Sequence, residues 1–244
     1  MDNAGGGQRG LRATPSLELL QALSDYYGIN YGNEVVDLGG SSNLNLLVGD
    51  ADHRYVLRAY RPYVTEDRLT DIQLVRHELS THGVNCSKIV STLSGQPWIV
   101  FDDRLVEVEH YAESDAGMDS WERIQIGLPV LGMIHTILRD VEVSAEAKFP
   151  VFANYIEPHQ ALNKTLQGTR RVRGWNCSLA EQRLADAAEE LADFVSKAER
   201  DLIMRLPRQL VHGDFWDNNV FFRGGHVALV ADFDFMGERT RIDD

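Results

Sequence analysis

Five polar residues near the end of the chain have the types and spacing of a metal and acid/base site. They are His212, Asp214 and Asn219, around the start of one apolar run, and Asp232 and Asp234, just after a second one. The runs, residues 219–222 and 227–230, flank a Gly-Gly turn, which predicts a β-hairpin. Because a hairpin sets its ends side by side, we expect Asp214 and Asn219 to face Asp232. Oxygen ligands that converge in this way suit Mg²⁺, which completes its shell with phosphate and water.

The spacing of these residues narrows the chemistry. His212, Asp214 and Asn219 fit the H-x-D-x-x-x-x-N pattern of kinase catalytic loops, and Asp232-Phe233-Asp234 stands where kinases have D-F-G. The segments HGDFWDNN and ADFDFMG resemble the aminoglycoside phosphotransferase and choline kinase family more closely than protein kinases. The resemblance runs from about Val35 to the last residue. It implies an α+β, bilobal protein-kinase-like fold, with a β-rich N-lobe and a mainly helical C-lobe that is C-terminally truncated.

Composition limits the partners of the protein. The 244 residues include 43% hydrophobic residues, which is ordinary for a globular chain, and carry a formal charge of −13. That charge argues against nucleic acid and anionic membranes as partners, and the oligomeric state is unknown. It suits a cationic small substrate, although a solvated acidic surface is the favoured explanation. No apolar run approaches the roughly 18 to 20 residues of a membrane span. Cys86 and Cys177 could form a disulfide, but reduced thiols in a cytoplasmic protein are favoured.

The first half of the chain is predicted to bind the nucleotide. Residues 1–13 are expected to be a disordered tail, and residues 14–111 the N-terminal lobe. After a first helix, two β-prone runs flank a turn of glycine and small polar residues, Gly39-Gly40-Ser41-Ser42-Asn43. Such a turn can direct backbone N–H groups at phosphates, although it can also be only a hairpin turn. The turn resembles the Gly-Gly-x-x-Asn turn of the family, which makes Gly40, Ser41, Ser42 and Asn43 candidate ATP-binding residues.

Arg58 is the candidate cation for the phosphates. The strand from Arg54 to Tyr60 alternates and places Val56 and Arg58 on one face. The family resemblance puts a phosphate-binding Lys at this position, and Arg keeps the charge without being equivalent to Lys. An exposed strand arginine is an equally simple interpretation. A helix over Arg68–His82 carries Glu78, which by the same resemblance would form an ion pair with Arg58.

The adenine site is assigned by resemblance to the strand that closes the sheet. Ile89-Val90, Pro97–Phe101 and Leu105–Tyr111 are predicted strands, and in the family the segment after the last of them is the hinge between the lobes. The peptide groups of Glu109 to Tyr111 are therefore the candidates for adenine binding.

Residues 112–244 are predicted to form the helical, incomplete C-terminal lobe. Helices are expected over Asp119–Leu138, Gln160–Leu166 and Leu179–Arg205, with an irregular segment over Pro150–Pro158. An exposed apolar patch is expected on the long helices. The basic cluster 170–175 could meet an anionic ligand, but salt bridges to acidic helices are favoured.

Together these residues predict an enzyme that moves the γ-phosphate of ATP to a hydroxyl of a small molecule. Asp214 is the candidate catalytic base, and Asn219 and Asp232 are the candidate Mg²⁺ ligands. The acceptor could be an aminoglycoside-like antibiotic, an amino alcohol, a sugar or an amino acid. One alternative is a nucleotide-binding pseudo-enzyme or regulatory module. A protein kinase is a weaker alternative, because the chain lacks a G-x-G-x-x-G loop and an A-P-E segment.

Overall fold

The computed structural model describes residues 12–31, 35–50, 52–149, 158–203 and 205–244. The N-terminal part is an antiparallel sheet with one helix before it and one helix inserted in it. Its strands lie in the spatial order β1-β2-β3-β6-β4, and β5 pairs with β6. The elements are α1 (Leu17–Tyr27), β1 (Val36–Gly39), β2 (Leu44–Gly49), β3 (Arg54–Ala59), α2 (Glu66–Thr81), β4 (Ile89–Val90), β5 (Ile99–Phe101) and β6 (Arg104–His110).

In the C-terminal part, the described residues form four helices and two small sheets. The antiparallel hairpin β8–β9 carries the predicted turn, and β7 pairs with β10. Short 3-10 turns lie at residues 217–219, 233–235 and 241–243. The elements are α3 (Trp121–Leu138), α4 (Ala145–Lys148), α5 (Pro158–Arg173), α6 (Leu179–Ile203), β7 (Arg208–Val211), β8 (Val220–Arg223), β9 (His226–Val230) and β10 (Gly237–Thr240).

Two apolar clusters hold the fold together. In the first, α1 covers one face of the sheet, and Leu57 and Ala59 of β3 point toward it. In the second, α2 packs against side chains of α3, the β8–β9 hairpin and residues 210–236. Because β3 alternates, its other side chains, Val56 and Arg58, point away from α1 toward the rest of the molecule. The second cluster crosses residue 111, so the division of the chain at that position stays a prediction.

Helix α2 begins two residues earlier than predicted and is well capped. The side-chain oxygen of Thr65 accepts a hydrogen bond from the backbone N–H of Arg68 at 3.2 Å. Leu69, Ile72 and Leu79 are completely or almost completely buried, as the helical spacing predicts. This helix therefore connects the sheet to the C-terminal part.

Helices α5 and α6 pack on each other, and α5 is longer than the sequence predicts. Helix α5 extends to Arg173, well beyond the predicted end at Leu166. Arg173, from the basic cluster, forms salt bridges with Asp186 and Glu189 of α6, which confirms the favoured interpretation for this residue. The expected apolar patch is present, since five large side chains described in α6 are 56–70% exposed: Leu179, Leu184, Leu191, Phe194 and Leu202.

Two predicted segments fall partly or wholly beyond the described residues. The irregular segment over Pro150–Pro158 lies outside them except for its last residue, which begins α5. Residues 1–11 of the predicted tail also lie outside, but Arg12 is placed and forms a salt bridge with Asp37. In the described ranges, no helix has the length and apolarity that crossing a bilayer requires.

The two cysteines are free thiols in different surroundings, and this predicts different reactivity. Cys86 is buried, and burial raises the pKa of its thiol to about 12, whereas Cys177 is partly exposed. We expect Cys177 to react with Ellman's reagent in the folded protein. Cys86 should react roughly a thousandfold more slowly or only after unfolding, because its thiolate fraction is small. Cys177→Ser should remove the fast phase, and a fast phase that persists would contradict this assignment.

Candidate active site

A cleft of about 710 Å³ lies between the sheet and the C-terminal hairpin. It is lined by the glycine turn (residues 38–43), by Val56 and Arg58 of β3, by residues 109–112, and by the segments 214–221 and 229–235 in part. Ten of the eleven predicted site residues line this one cleft, namely Gly40, Ser41, Ser42, Asn43, Arg58, Glu109, Tyr111, Asp214, Asn219 and Asp232. Glu78 does not line it.

The segment from His212 to Asn219, here called the catalytic loop, is held by its own polar groups. The Asp214 backbone N–H donates to His212 Nδ1 at 3.2 Å, so the ring proton resides on Nε2, which donates to the Ala231 carbonyl at 2.9 Å. Burial lowers the pKa of His212, which keeps the imidazole neutral. His212 therefore braces the loop against the end of β9, and both ring nitrogens are occupied.

Asn219 orients Asp214. Its Nδ2 donates both to the Asp214 backbone carbonyl at 2.8 Å and to the carboxylate Oδ2 at 2.9 Å. An amide has a separate oxygen, so Asn219 can hold the Asp214 carboxylate and still offer Oδ1 to a cation. The Asp214 carboxylate is thus aimed by a neighbour, as a group that accepts a proton needs to be.

Asp244 anchors the start of the catalytic loop. Its carboxylate accepts hydrogen bonds from the backbone N–H groups of His212, at 3.0 Å, and Gly213, at 2.5 Å. His135 Nε2 lies 3.0 Å from the same carboxylate, so this histidine has a structural role. Burial by itself would raise the pKa of Asp244, but the contact with His135 and these amides hold it below its ordinary value.

Gly213 is required by the path of the loop. Its φ of +84° is in the left-handed region, and a Cβ there would lie 2.1 Å from the carbonyl oxygen of Phe235. The close approach packs the catalytic loop directly on the segment 232–236, here called the metal loop. A side chain at residue 213 would force the two loops apart.

Asp232 begins the metal loop in a conformation that is uncommon for a residue with a side chain. Its φ of +65° lies in the left-handed region, a strain that is often found at functional sites. The carboxylate forms a salt bridge with Arg58, and 30% of its side-chain surface is exposed. Enclosure raises the pKa of Asp232 in spite of the Arg58 charge. A partly exposed carboxylate facing the cleft beside the Asn219 amide is a donor set that fits Mg²⁺, which takes few protein ligands.

Asp234, two residues further on, is completely buried and differs from Asp232. Asn43 donates to its carboxylate at 2.6 Å and Arg61 at 3.1 Å, and Arg58 lies at 3.4 Å. Burial alone would raise the pKa of Asp234. The two arginine cations and the Asn43 amide nevertheless hold this pKa below its ordinary value. Asn43 was expected to contact ATP, but its amide group is directed to Asp234.

The predicted ion pair between Arg58 and Glu78 is wrong. Arg58 pairs with Asp232 and Asp234, and α2 instead directs Arg76 at the sheet, where it forms salt bridges with Glu107 and Glu109 of β6. The helix thus carries the cation and the sheet the carboxylates. Residues two apart on a helix are about 200° apart around its axis, so Glu78 faces away from the side that presents Arg76.

The predicted hinge lines the cleft, but two of its N–H groups are used within the protein. The N–H of His110 donates to the Lys88 carbonyl at 2.8 Å, and that of Tyr111 donates to the Arg54 carbonyl at 3.1 Å. The Glu109 carboxylate contacts Arg76. A purine at this end of the cleft would therefore meet carbonyl groups or the next residue, Ala112, which also lines the cleft.

Three residues that hold the site were not predicted from sequence. Arg61 contacts Asp234, and Asp244 holds His212 and Gly213. Arg68, completely buried in α2, donates to the backbone carbonyls of Asp234 at 2.8 Å and Met236 at 2.7 Å. An arginine near the start of a helix has no local pattern that marks it as buried, because its partners in the metal loop lie more than 160 residues away.

Comparison with known proteins agrees with the fold and the motifs. The model of the phosphotransferase enzyme family matches residues 35–242. A homoserine kinase of Rhizobium meliloti (strain 1021) is 24% identical over 228 residues, which cover 88% of this chain and 59% of that protein. The chain therefore spans about three fifths of the length of this curated relative.

Solved structures show the same fold. An amicoumacin kinase in complex with AMP-PNP and Ca²⁺ matches with a TM-score of 0.67 at 16% identity, covering 94% of this chain and 66% of that one. A microcompartment-associated aminopropanol kinase matches with a TM-score of 0.58 at 15% identity, covering 93% and 71%. The predicted bilobal, kinase-like α+β fold and the predicted family resemblance are confirmed.

Proposed function

Because the chain belongs to the phosphotransferase enzyme family, we propose that it transfers the γ-phosphate of ATP to a hydroxyl group of a small molecule. The observation that supports this most is the single cleft that collects the glycine turn, Arg58, Asp214, Asn219 and Asp232. These residues come from segments up to about 190 positions apart. Phosphoryl transfer requires little covalent chemistry from the protein, and positioning and charge neutralisation are what this set can supply.

ATP is proposed to lie along the cleft. The adenine ring would occupy the end near residues 109–112, between Val56 on the sheet side and Phe221 and Leu229 on the hairpin side. The phosphates would lie under the turn of Gly40, Ser41 and Ser42. There the backbone N–H groups of the turn and the guanidinium of Arg58 can bind the negatively charged phosphate oxygens.

Asp232 and Asn219 are proposed to hold Mg²⁺, which would neutralise charge on the β- and γ-phosphates. Arg58, which pairs with Asp232, has several N–H donors and can serve a phosphate as well as a carboxylate. Asp214, aimed by the Asn219 amide, would accept the proton of the acceptor hydroxyl as its oxygen attacks the γ-phosphorus.

We infer that the acceptor carries an amino group as well as a hydroxyl. Two of the similar proteins are kinases of homoserine and aminopropanol, and each of these compounds has both groups. The formal charge of −13 favours a cationic acceptor over an anionic one. Aminoglycoside-like antibiotics also satisfy this description. We place the reaction in the cytoplasm, where ATP is available and the two free thiols would stay reduced.

The test is an ATP-consumption assay with Mg²⁺ and paired acceptors. Homoserine, 1-amino-2-propanol and an aminoglycoside are compared with amine-free partners such as homoserine's deaminated analogue and 1,2-propanediol. Turnover with at least one amine-bearing member, and a much lower kcat/KM for its partner, is the expected result. Turnover only with amine-free alcohols would contradict the acceptor assignment.

Thermal unfolding with and without Mg-ATP completes this test. Stabilisation by Mg-ATP without turnover across the panel would favour a nucleotide-binding protein that does not transfer phosphate. The absence of both stabilisation and turnover would contradict the proposed function altogether.

A further inference from the structure

We propose that Asp234 is a positioning residue that fixes the glycine turn and Arg58 relative to the metal loop, through its hydrogen bond with Asn43. The inference rests on the proposed function, because it concerns where ATP phosphates would be held. Asn43 and Asp234 are 191 positions apart in sequence, and their side chains meet at 2.6 Å in a buried contact. The contact connects the N-terminal sheet directly to the segment that follows Asp232.

The carboxylate of Asp234 is fully engaged by the protein. Oδ2 accepts from Asn43 and from Arg61 at 3.1 Å, and Oδ1 lies 3.4 Å from the Arg58 guanidinium. The side chain has no exposed surface. Asp234 is therefore suited to holding other groups in place, in contrast to Asp232, whose carboxylate is partly exposed to the cleft.

The contact forms part of a closed ring of hydrogen bonds. Asn43 donates to Asp234 through Nδ2 and accepts from the Arg61 backbone N–H through Oδ1 at 3.1 Å. Arg61 then closes the ring through its side chain on Asp234. Because each member contacts the other two, displacement of one is resisted by both others.

This ring holds the end of the glycine turn that is otherwise distant from the C-terminal part. The start of the turn is held locally, since the Gly39 N–H donates to Asp37 at 2.8 Å and Asn45 donates to the Gly39 carbonyl at 3.1 Å. Its other end is Asn43. The backbone of Asp234 is itself anchored by Arg68 at 2.8 Å. The hydrogen bond between Asn43 and Asp234 thus connects this end of the turn to the metal loop.

Arg58 depends on the same carboxylate. Its guanidinium is shared between Asp232 and Asp234. If Asp232 held the proposed Mg²⁺, Asp234 would remain as a carboxylate that pairs with Arg58. Loss of Asp234 is therefore expected to weaken nucleotide binding more than it slows the chemical step.

A reciprocal exchange separates positioning from direct ligand contact. Asn43→Asp places two carboxylates together, and Asp234→Asn places two amides together, so each removes the charge-assisted hydrogen bond. Each single variant is expected to raise the KM for Mg-ATP about tenfold or more, with a smaller change in kcat. The double variant Asn43→Asp/Asp234→Asn restores one amide facing one carboxylate, beside the same two arginines. It is expected to recover the part of the loss that comes from the contact between residues 43 and 234, but not the part that comes from the ion pairs of Asp234 with Arg58 and Arg61.

The outcomes are distinguishable. Asn85→Asp, the same change on an exposed asparagine outside the cleft, should leave the KM unchanged. If the double variant is no better than the product of the single effects, or if the single variants bind Mg-ATP as the natural protein does, the positioning role is wrong. Mg-ATP-induced shifts in Tm are measured for every variant, so affinity is compared even without turnover. If the unchanged protein neither binds nor consumes ATP, the proposed function fails, and the inference fails with it.

Discussion

Replacing Asp214 by asparagine is expected to lower kcat for phosphate transfer by roughly 10²- to 10⁴-fold, the range typical of a lost general base. The substitution keeps the shape of the side chain, and the asparagine oxygen can still accept the 2.9 Å hydrogen bond from Asn219. The asparagine side chain, unlike the carboxylate, cannot take up the proton of the acceptor hydroxyl. The loop should stay in place, because its anchors are Asp244 and His212.

The measurement compares kcat with the shift in Tm that Mg-ATP produces. The Asp214→Asn variant should keep this shift within experimental error, since Asp232 and Asn219 are the proposed metal ligands. Asp140→Asn, which removes a carboxylate on the surface away from the cleft, serves as the control for charge and should keep full activity. Unchanged turnover in the Asp214 variant would contradict the proposed mechanism.

Replacing Arg68 by methionine is expected to destabilise the protein by about 3–5 kcal/mol, which is a large effect for one residue. Arg68 is buried, and its guanidinium donates to the carbonyl oxygens of Asp234 and Met236 and to that of Glu146 at 3.3 Å. Methionine fills most of the volume but donates no hydrogen bond. Buried carbonyl groups would be left without these partners, and the metal loop would lose its attachment to α2.

Urea unfolding monitored by tryptophan fluorescence measures this change. Arg68→Lys should recover only part of the stability, because one ammonium group cannot reproduce the fork that reaches several carbonyls. Arg139→Met is the matched control, since Arg139 is exposed and pairs with the exposed Asp140. Equal unfolding midpoints for the Arg68 and Arg139 variants would show that the buried guanidinium contributes little.

Local spacing predicted the parts of the site that lie close together in sequence. The interval from His212 to Asn219 and the hairpin between Asn219 and Asp232 could be predicted because a short loop and a two-strand turn leave few conformations. Strand alternation likewise placed Arg58 on the cleft side of β3. In these segments, neighbours along the chain decide the geometry, so the order of residue types is informative.

Which buried charged residues form ion pairs with each other could not be predicted from the sequence. Arg58 was paired with Glu78, whereas the structure pairs it with two aspartates 174 and 176 positions away. Arg76 takes the position on α2 that faces the sheet. Which cation meets which carboxylate depends on how helix, sheet and hairpin pack, and an isolated glutamate on a helix has no local signal for its partner.

The sequence by itself therefore predicted the segments that meet in the cleft: the catalytic loop, the metal loop, the glycine turn and the cation on β3. These depend on residue type and short-range geometry. Only the tertiary structure decided how those groups are held, through Asn43 on Asp234, Arg68 on the metal loop and Asp244 on the catalytic loop. The reason is physical, because a buried polar group must be satisfied by whatever partner the packing brings to it, however distant in the chain.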